Sequence, residues 1–182
     1  AVLLSAISAG AKAEGLMGLI VGTGTNICCQ MERARLGIEG TGSMIVAMES
    51  GGFLSPDRTE LDRRMDADTL SPGVYPEEKI VAGGYLGKIC TFALREAATA
   101  GLFSEKTCDA LMLAEEFITP RMDAFAVGAE ESGVFFDEQD AHPGLEIVRA
   151  VFARAAKHIA LSLSATADET LPCGCAMTVS AD

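Results

Sequence analysis

The stretch GLIVGTGTNICCQME, residues 18–32, decides the fold. An apolar strand runs into five small polar residues, Gly22 to Asn26, and a second apolar strand follows. Such a loop has three readings: a seat for a dinucleotide phosphate, a seat for the tail of a free nucleotide, or a hairpin turn that holds nothing. The dinucleotide reading fails on spacing. Gly22 and Gly24 supply the first two glycines of G-x-G-x-x-G, but Ile27 stands at the third. The following NICCQ is strand-like, so no helix N-terminus is available for a pyrophosphate. A Walker loop also fails, because no Gly-Lys-Ser/Thr is present. A hairpin turn remains. Its glycines allow close backbone approach, so both a ligand-free turn and one that holds phosphate oxygens stay open.

The rest of the chain sets the context. It has 182 residues, 49% hydrophobic and 22% charged, enough for one domain with a sizeable core. Its formal net charge of −12, without a basic run, argues against a nucleic-acid surface. Its apolar runs fall short of the ~18 residues a membrane span needs. The opening AVLLSAISAGA resembles a signal-peptide core but lacks a basic leader, and a helix cut off at its start is the preferred reading. Both ends read as those of a piece of something longer. Six cysteines are present. Cys173 and Cys175, two apart, would share a strand face, but four-ligand spacing is missing. Free thiols in a reducing cytoplasm are the expectation.

Periodicity and breakers predict strands over 16–22, 26–32 and about 43–49, and a short helix around 59–65. Pro76 opens a predicted long helix through Ala100, closed by Gly101. A shorter helix is expected near 104–112. Thr119-Pro120 reads as the N-cap and first turn of a helix to about Val127. GLEIVRAVFARAAKHIALSLSAT, residues 144–166, is a long amphipathic helix, and CGCAMTVSA is a returning strand. The order implies one α/β domain, a mixed sheet packed on helices.

Three further features stand out. Glu49 ends an apolar strand beside Ser50-Gly51-Gly52, a placement that suits a cleft or a plain solvated end. Glu78 falls in a helix first turn, where the macrodipole alone favours it by ~0.5 kcal/mol. Gly83 and Gly84 inside a helix would cost about 1 kcal/mol each, which implies close approach by another backbone or a ligand.

Taken together, these motifs resemble the eukaryotic-type hexokinase and glucokinase family. GLIVGTGTN followed by a strand ending in Met-Glu is similar to its phosphate loop, and MIVAMESGGF to its Met-Glu-Trp-Gly-Ala-Phe strand. RTELDRRMDADTLSPG and PEEKIVAGGYLGKI resemble its next two segments, and EEFIT, FARAAKHIA and MTVSAD continue the likeness in order. The resemblance implies the large lobe of an actin-like ATPase fold. It also implies transfer of the γ-phosphoryl group of Mg-ATP to the 6-hydroxyl of a hexose, glucose first, with ATP and Mg2+ as cofactors. It assigns Asn26, Glu49 and Glu78 to the sugar, and Gly22, Thr23, Gly24, Gly83, Gly84 and Thr119 to ATP. No metal ligand is assigned, and the general-base Asp is expected upstream of Ala1. The chain departs from the pattern at Cys28-Cys29-Gln30 and at Ser50, where the family has Trp. Two other readings stay in view: a non-catalytic sugar-binding lobe, and a thiol or metal protein built on Cys173 and Cys175.

Overall fold

The structure, a computed structural model, describes residues 16–129, 133–135, 138–170 and 178–181. Three strands, β1 (Leu16–Val21), β2 (Thr25–Glu32) and β3 (Ser43–Ala47), form an antiparallel meander. The last strand, β4 (Thr178–Ala181), lies parallel to β1, giving the sheet order β3-β2-β1-β4. The helices are α1 (Glu60–Ala67), α2 (Glu78–Val81), α3 (Gly83–Thr99), α4 (Glu105–Leu113), α5 (Thr119–Ala126) and α6 (Glu138–Thr170).

Local chemistry explains most of these boundaries. The β1–β2 turn is tight: Gly22 N–H donates to Gly24 carbonyl at 2.8 Å, and Val21 pairs with Thr25. Thr59 starts α1 with a reciprocal cap, its hydroxyl accepting from Asp62 N–H while the Asp62 carboxylate accepts from Thr59 N–H. Gly101, at φ 79, follows the end of α3 as predicted. Along β2, Ile27 and Cys29 share a face and pack toward Leu163 and Ala167 of α6. The main core lies among the helices, where Ile80, Ile89, Leu94, Leu111, Met122 and Val148 are fully buried.

The predicted long helix is corrected. It divides into α2 and α3 at Ala82, whose ψ of 145° is extended. The cause is tertiary: the Gly83 N–H donates to the Gly22 carbonyl at 2.7 Å, which draws the chain toward the hairpin. The glycine pair therefore opens a helix instead of interrupting one. Thr119 is also corrected. Ile118 occupies the N-cap of α5, and the Thr119 hydroxyl serves another partner, described below. The last predicted helix is longer than expected, beginning at Glu138 and running through Pro143. Residues 2–9, Cys173 and Cys175 lie outside the described residues. No described helix is long and apolar enough to cross a membrane.

Candidate functional site

The hairpin brings the predicted sugar residues together. Asn26, the second residue of β2, donates from its side-chain amide to Glu49 Oε1 at 3.2 Å. Its Oδ1 accepts from Ile27 N–H at 2.8 Å and from Ser50 N–H at 3.4 Å. These bonds leave the amide one orientation. Glu78 opens α2 and accepts from Thr25 N–H through Oε2 at 3.0 Å. Gly24 makes that reach possible, because a Cβ there would stand 2.6 Å from Glu78 Oε2. The turns that carry the two glutamates are joined: Glu77 N–H donates to the Gly51 carbonyl at 3.1 Å. Asn26 and Glu78 are half-buried, and Glu49 is exposed.

Glu49 has φ 50°, in the left-handed region that costs a residue with a Cβ roughly 1–2 kcal/mol. Backbone strain of this kind collects at functional sites.

On the other side of the hairpin, the same turn packs backbone to backbone against α3. A Cβ on Gly84 would lie 2.6 Å from the Thr23 carbonyl oxygen, and one on Gly83 3.0 Å from that of Gly22. Another backbone is thus what approaches the glycine pair. At Gly22 itself a Cβ would meet nothing within 4 Å, so this end of the turn opens on free space. Gly83 and Gly84, on which the turn packs, also line a cleft of about 600 Å3, whose walls include Thr119, Asp68, Lys88 and Glu116. The Thr119 hydroxyl accepts from Gly87 N–H at 2.8 Å and so ties α5 to α3. Lys88 bridges the walls, 2.8 Å from Asp68 Oδ2 and 3.2 Å from Glu116 Oε1. Burial pulls the Lys88 ammonium pKa down, but its hydrogen bonds to Asp68 and Glu116 outweigh this and hold it above its ordinary value.

Behind Glu78 stands a buried charge network that the motif reading missed. Lys79, 1% exposed, donates to Asp66 Oδ1 and to the Ser71 carbonyl. Asp66 also receives Arg58 at 2.9 Å and Gly73 N–H at 3.1 Å. Burial would raise the Asp66 pKa, but these donors outweigh it and keep the carboxyl below the usual range. Glu77 and His158 form a second buried pair at 2.9 Å. Asp62 holds Arg154 through both oxygens, which ties α1 to α6. Gly87 was missed as well, although its offset of three and four from Gly84 and Gly83 puts it near them on the helix surface. For Lys79 and Asp66 no local spacing signals the pairing.

Residues 16–182 match the family profile described as Hexokinase. The chain belongs to the hexokinase family. It is 35% identical over 126 residues to Hexokinase-1 of Rattus norvegicus, covering 65% of this chain and 14% of the relative. With Hexokinase-3 of Homo sapiens the identity is 31% over 167 residues, 82% of this chain and 18% of the relative. With Hexokinase-2 of Solanum tuberosum it is 38% over 117 residues, 59% of this chain and 23% of the relative. The chain thus spans less than a quarter of each of these relatives. Among solved structures, the hexokinase from Schistosoma mansoni complexed with glucose superposes with a TM-score of 0.73 at 17% identity, covering 98% of this chain and 52% of that one. A second hexokinase crystal structure gives 0.77 at 23% identity, covering 100% of this chain and 42% of that one. At these identities the structural likeness speaks for the fold alone: the actin-like ATPase fold expected from the motifs.

Proposed function

We propose that this chain forms most of the large lobe of an ATP-dependent hexose kinase. In this reading, the enzyme moves the γ-phosphoryl group of ATP to the 6-hydroxyl of glucose or a related hexose. The observation that carries the reading is the gathering of Asn26, Glu49 and Glu78 at the Gly22–Asn26 hairpin, which packs on the Gly83–Gly84 pair that lines the cleft. Family membership and the glucose in the Schistosoma mansoni structure support it.

Each residue has a chemical task in this proposal. The Glu49 and Glu78 carboxylates accept hydrogen bonds from sugar hydroxyls, the strong charge-assisted kind. The Asn26 amide, its oxygen occupied by the Ile27 and Ser50 N–H groups, donates to the sugar through its NH2. Thr23 and Gly24 present backbone N–H groups to phosphate oxygens, and Gly22 leaves open space for them. Gly83 and Gly84 hold that turn against α3, and Thr119 fixes the far wall of the nucleotide cleft. In this proposal ATP enters as its Mg2+ complex, as the resemblance implies. Phosphoryl transfer depends chiefly on such positioning, with closure over the sugar excluding water. The base that takes the hydroxyl proton is assigned to an Asp upstream of Ala1. Free cysteines at 28, 29, 90 and 108 suit a cytoplasmic setting.

The test is an assay of the full-length protein with ATP and glucose, fructose or mannose. Glu49→Ala and Glu78→Ala should each lower kcat/KM for the hexose about 10- to 100-fold, since a charged hydrogen bond is worth about 1.5–3 kcal/mol. Phosphorylation of none of the three sugars would overturn the kinase reading. It would favour a non-catalytic sugar-binding protein if calorimetry still registered hexose binding. Unchanged kinetics in both variants would break the residue assignment.

A further inference from the structure

Under the hairpin, between the turn of Glu49 and the start of α2, lies a small cavity of about 10 Å3. Its wall includes Ser50, Glu77, Thr25 and Ser162, with Ile27, Val81 and Ile159 on the apolar sides. Two oxygens from these lining residues are buried without a protein partner: Ser50 Oγ and Glu77 Oε2. Glu77 is 3% exposed, and its other oxygen, Oε1, is taken by His158 Nδ1 at 2.9 Å. A buried carboxylate oxygen and a buried hydroxyl with no partner are each costly. The space is at the lower limit for one water, and the polar groups are of the kind a buried water bridges.

We propose that this cavity is an internal water site, in which one water donates to Glu77 Oε2 and hydrogen-bonds Ser50 Oγ. Ser50 follows Glu49 and Glu77 precedes Glu78 in the chain. The water therefore clamps together the two turns that carry these carboxylates, adding to the direct bond from Glu77 N–H to the Gly51 carbonyl. Through the Glu77–His158 pair the clamp extends to α6. Ser50 is also a position at which the chain departs from the Met-Glu-Trp-Gly motif, and its hydroxyl is what gives the water a partner on this turn. Ser50 and Glu77 act here as positioning residues. The water site rests on the cavity and its two oxygens, whereas its effect on sugar binding rests on the kinase reading.

A crystal structure of the full-length protein, at a resolution that orders internal water, tests the site directly. The expected result is a density peak about 3 Å from both Ser50 Oγ and Glu77 Oε2. An empty cavity, or Ser50 Oγ bonded straight to Glu77 Oε2, overturns the proposal. For the positioning role, Ser50→Ala should raise KM for the hexose about threefold and leave KM for ATP unchanged. No change, or an equal change in both, removes that role. If the wild-type protein phosphorylates no hexose, the kinase reading fails while the density still decides the water site.

Discussion

At the residue scale, two residues near the proposed sugar site hold conformations or charges that isolated residues avoid. Glu49 keeps a left-handed backbone, which only glycine adopts freely. Both Glu49→Gly and Glu49→Ala remove the carboxylate, so their difference isolates the strain. Glu49→Gly should be about 1 kcal/mol more stable than Glu49→Ala in urea titrations. Asp66 is the second case. Its folded pKa is held below the ordinary value, so the native state binds fewer protons than the unfolded chain in the acid range. Its contribution is therefore complete above pH about 4 and is lost as pH falls through the folded value. Asp66→Asn, which leaves Lys79 buried beside a neutral partner, should cost about 3–5 kcal/mol at pH 7. The same variant should show a shallower loss of stability on acidification, measured as unfolding midpoint against pH.

At the element scale, the hairpin and α3 are fitted backbone to backbone, and glycines at the contact keep the two elements close. The segment before α5 also approaches α3 closely, at Gly87, where a Cβ would stand 2.2 Å from the Phe117 carbonyl oxygen and 2.5 Å from Thr119 N. Neither neighbour is the flexible end of a side chain, so α3 and the segment before α5 must separate. Gly87→Ala should cost at least 1–3 kcal/mol and displace Thr119 from its bond to the Gly87 N–H. Gly22→Ala, facing open space, should change stability by no more than about 0.5 kcal/mol. Thermal melts of the two variants separate the cases. A glycine's identity alone would not predict this contrast; the neighbour of its missing Cβ decides it.

At the scale of the whole molecule, stability is divided unequally between a large helical core and a small cluster beneath the sheet. Leu94 is fully buried in the first, whereas Leu163 of α6 packs partly buried against the second. Leu94→Ala should cost about 2–5 kcal/mol and Leu163→Ala clearly less, by equilibrium urea unfolding of the full-length protein. The helix α6 links both clusters, and the Arg154–Asp62 pair and the His158–Glu77 pair anchor it near the site. The sheet and its hairpin are thus held in place by a helix that carries none of the proposed sugar or ATP residues.

The three strands, the hairpin turn, the presence of α1 and the end of α3 were legible in the residues themselves. Each depends on neighbours a few positions apart: apolar runs in the strands, glycines in the turn, periodicity in α1 and a terminal Gly101. The order of these motifs also revealed the hexokinase family. What the line of residues did not contain was the break at Ala82, the partner of the Thr119 hydroxyl, and the pairings of Lys79 with Asp66 and Glu77 with His158. Those partners lie 13, 32 and 81 residues apart for Lys79–Asp66, Gly87–Thr119 and Glu77–His158. Short-range propensity sets the type of each element, but hydrogen bonds over such separations form only when packing brings the elements together. The tertiary structure alone therefore decided how Asn26, Glu49 and Glu78 are held.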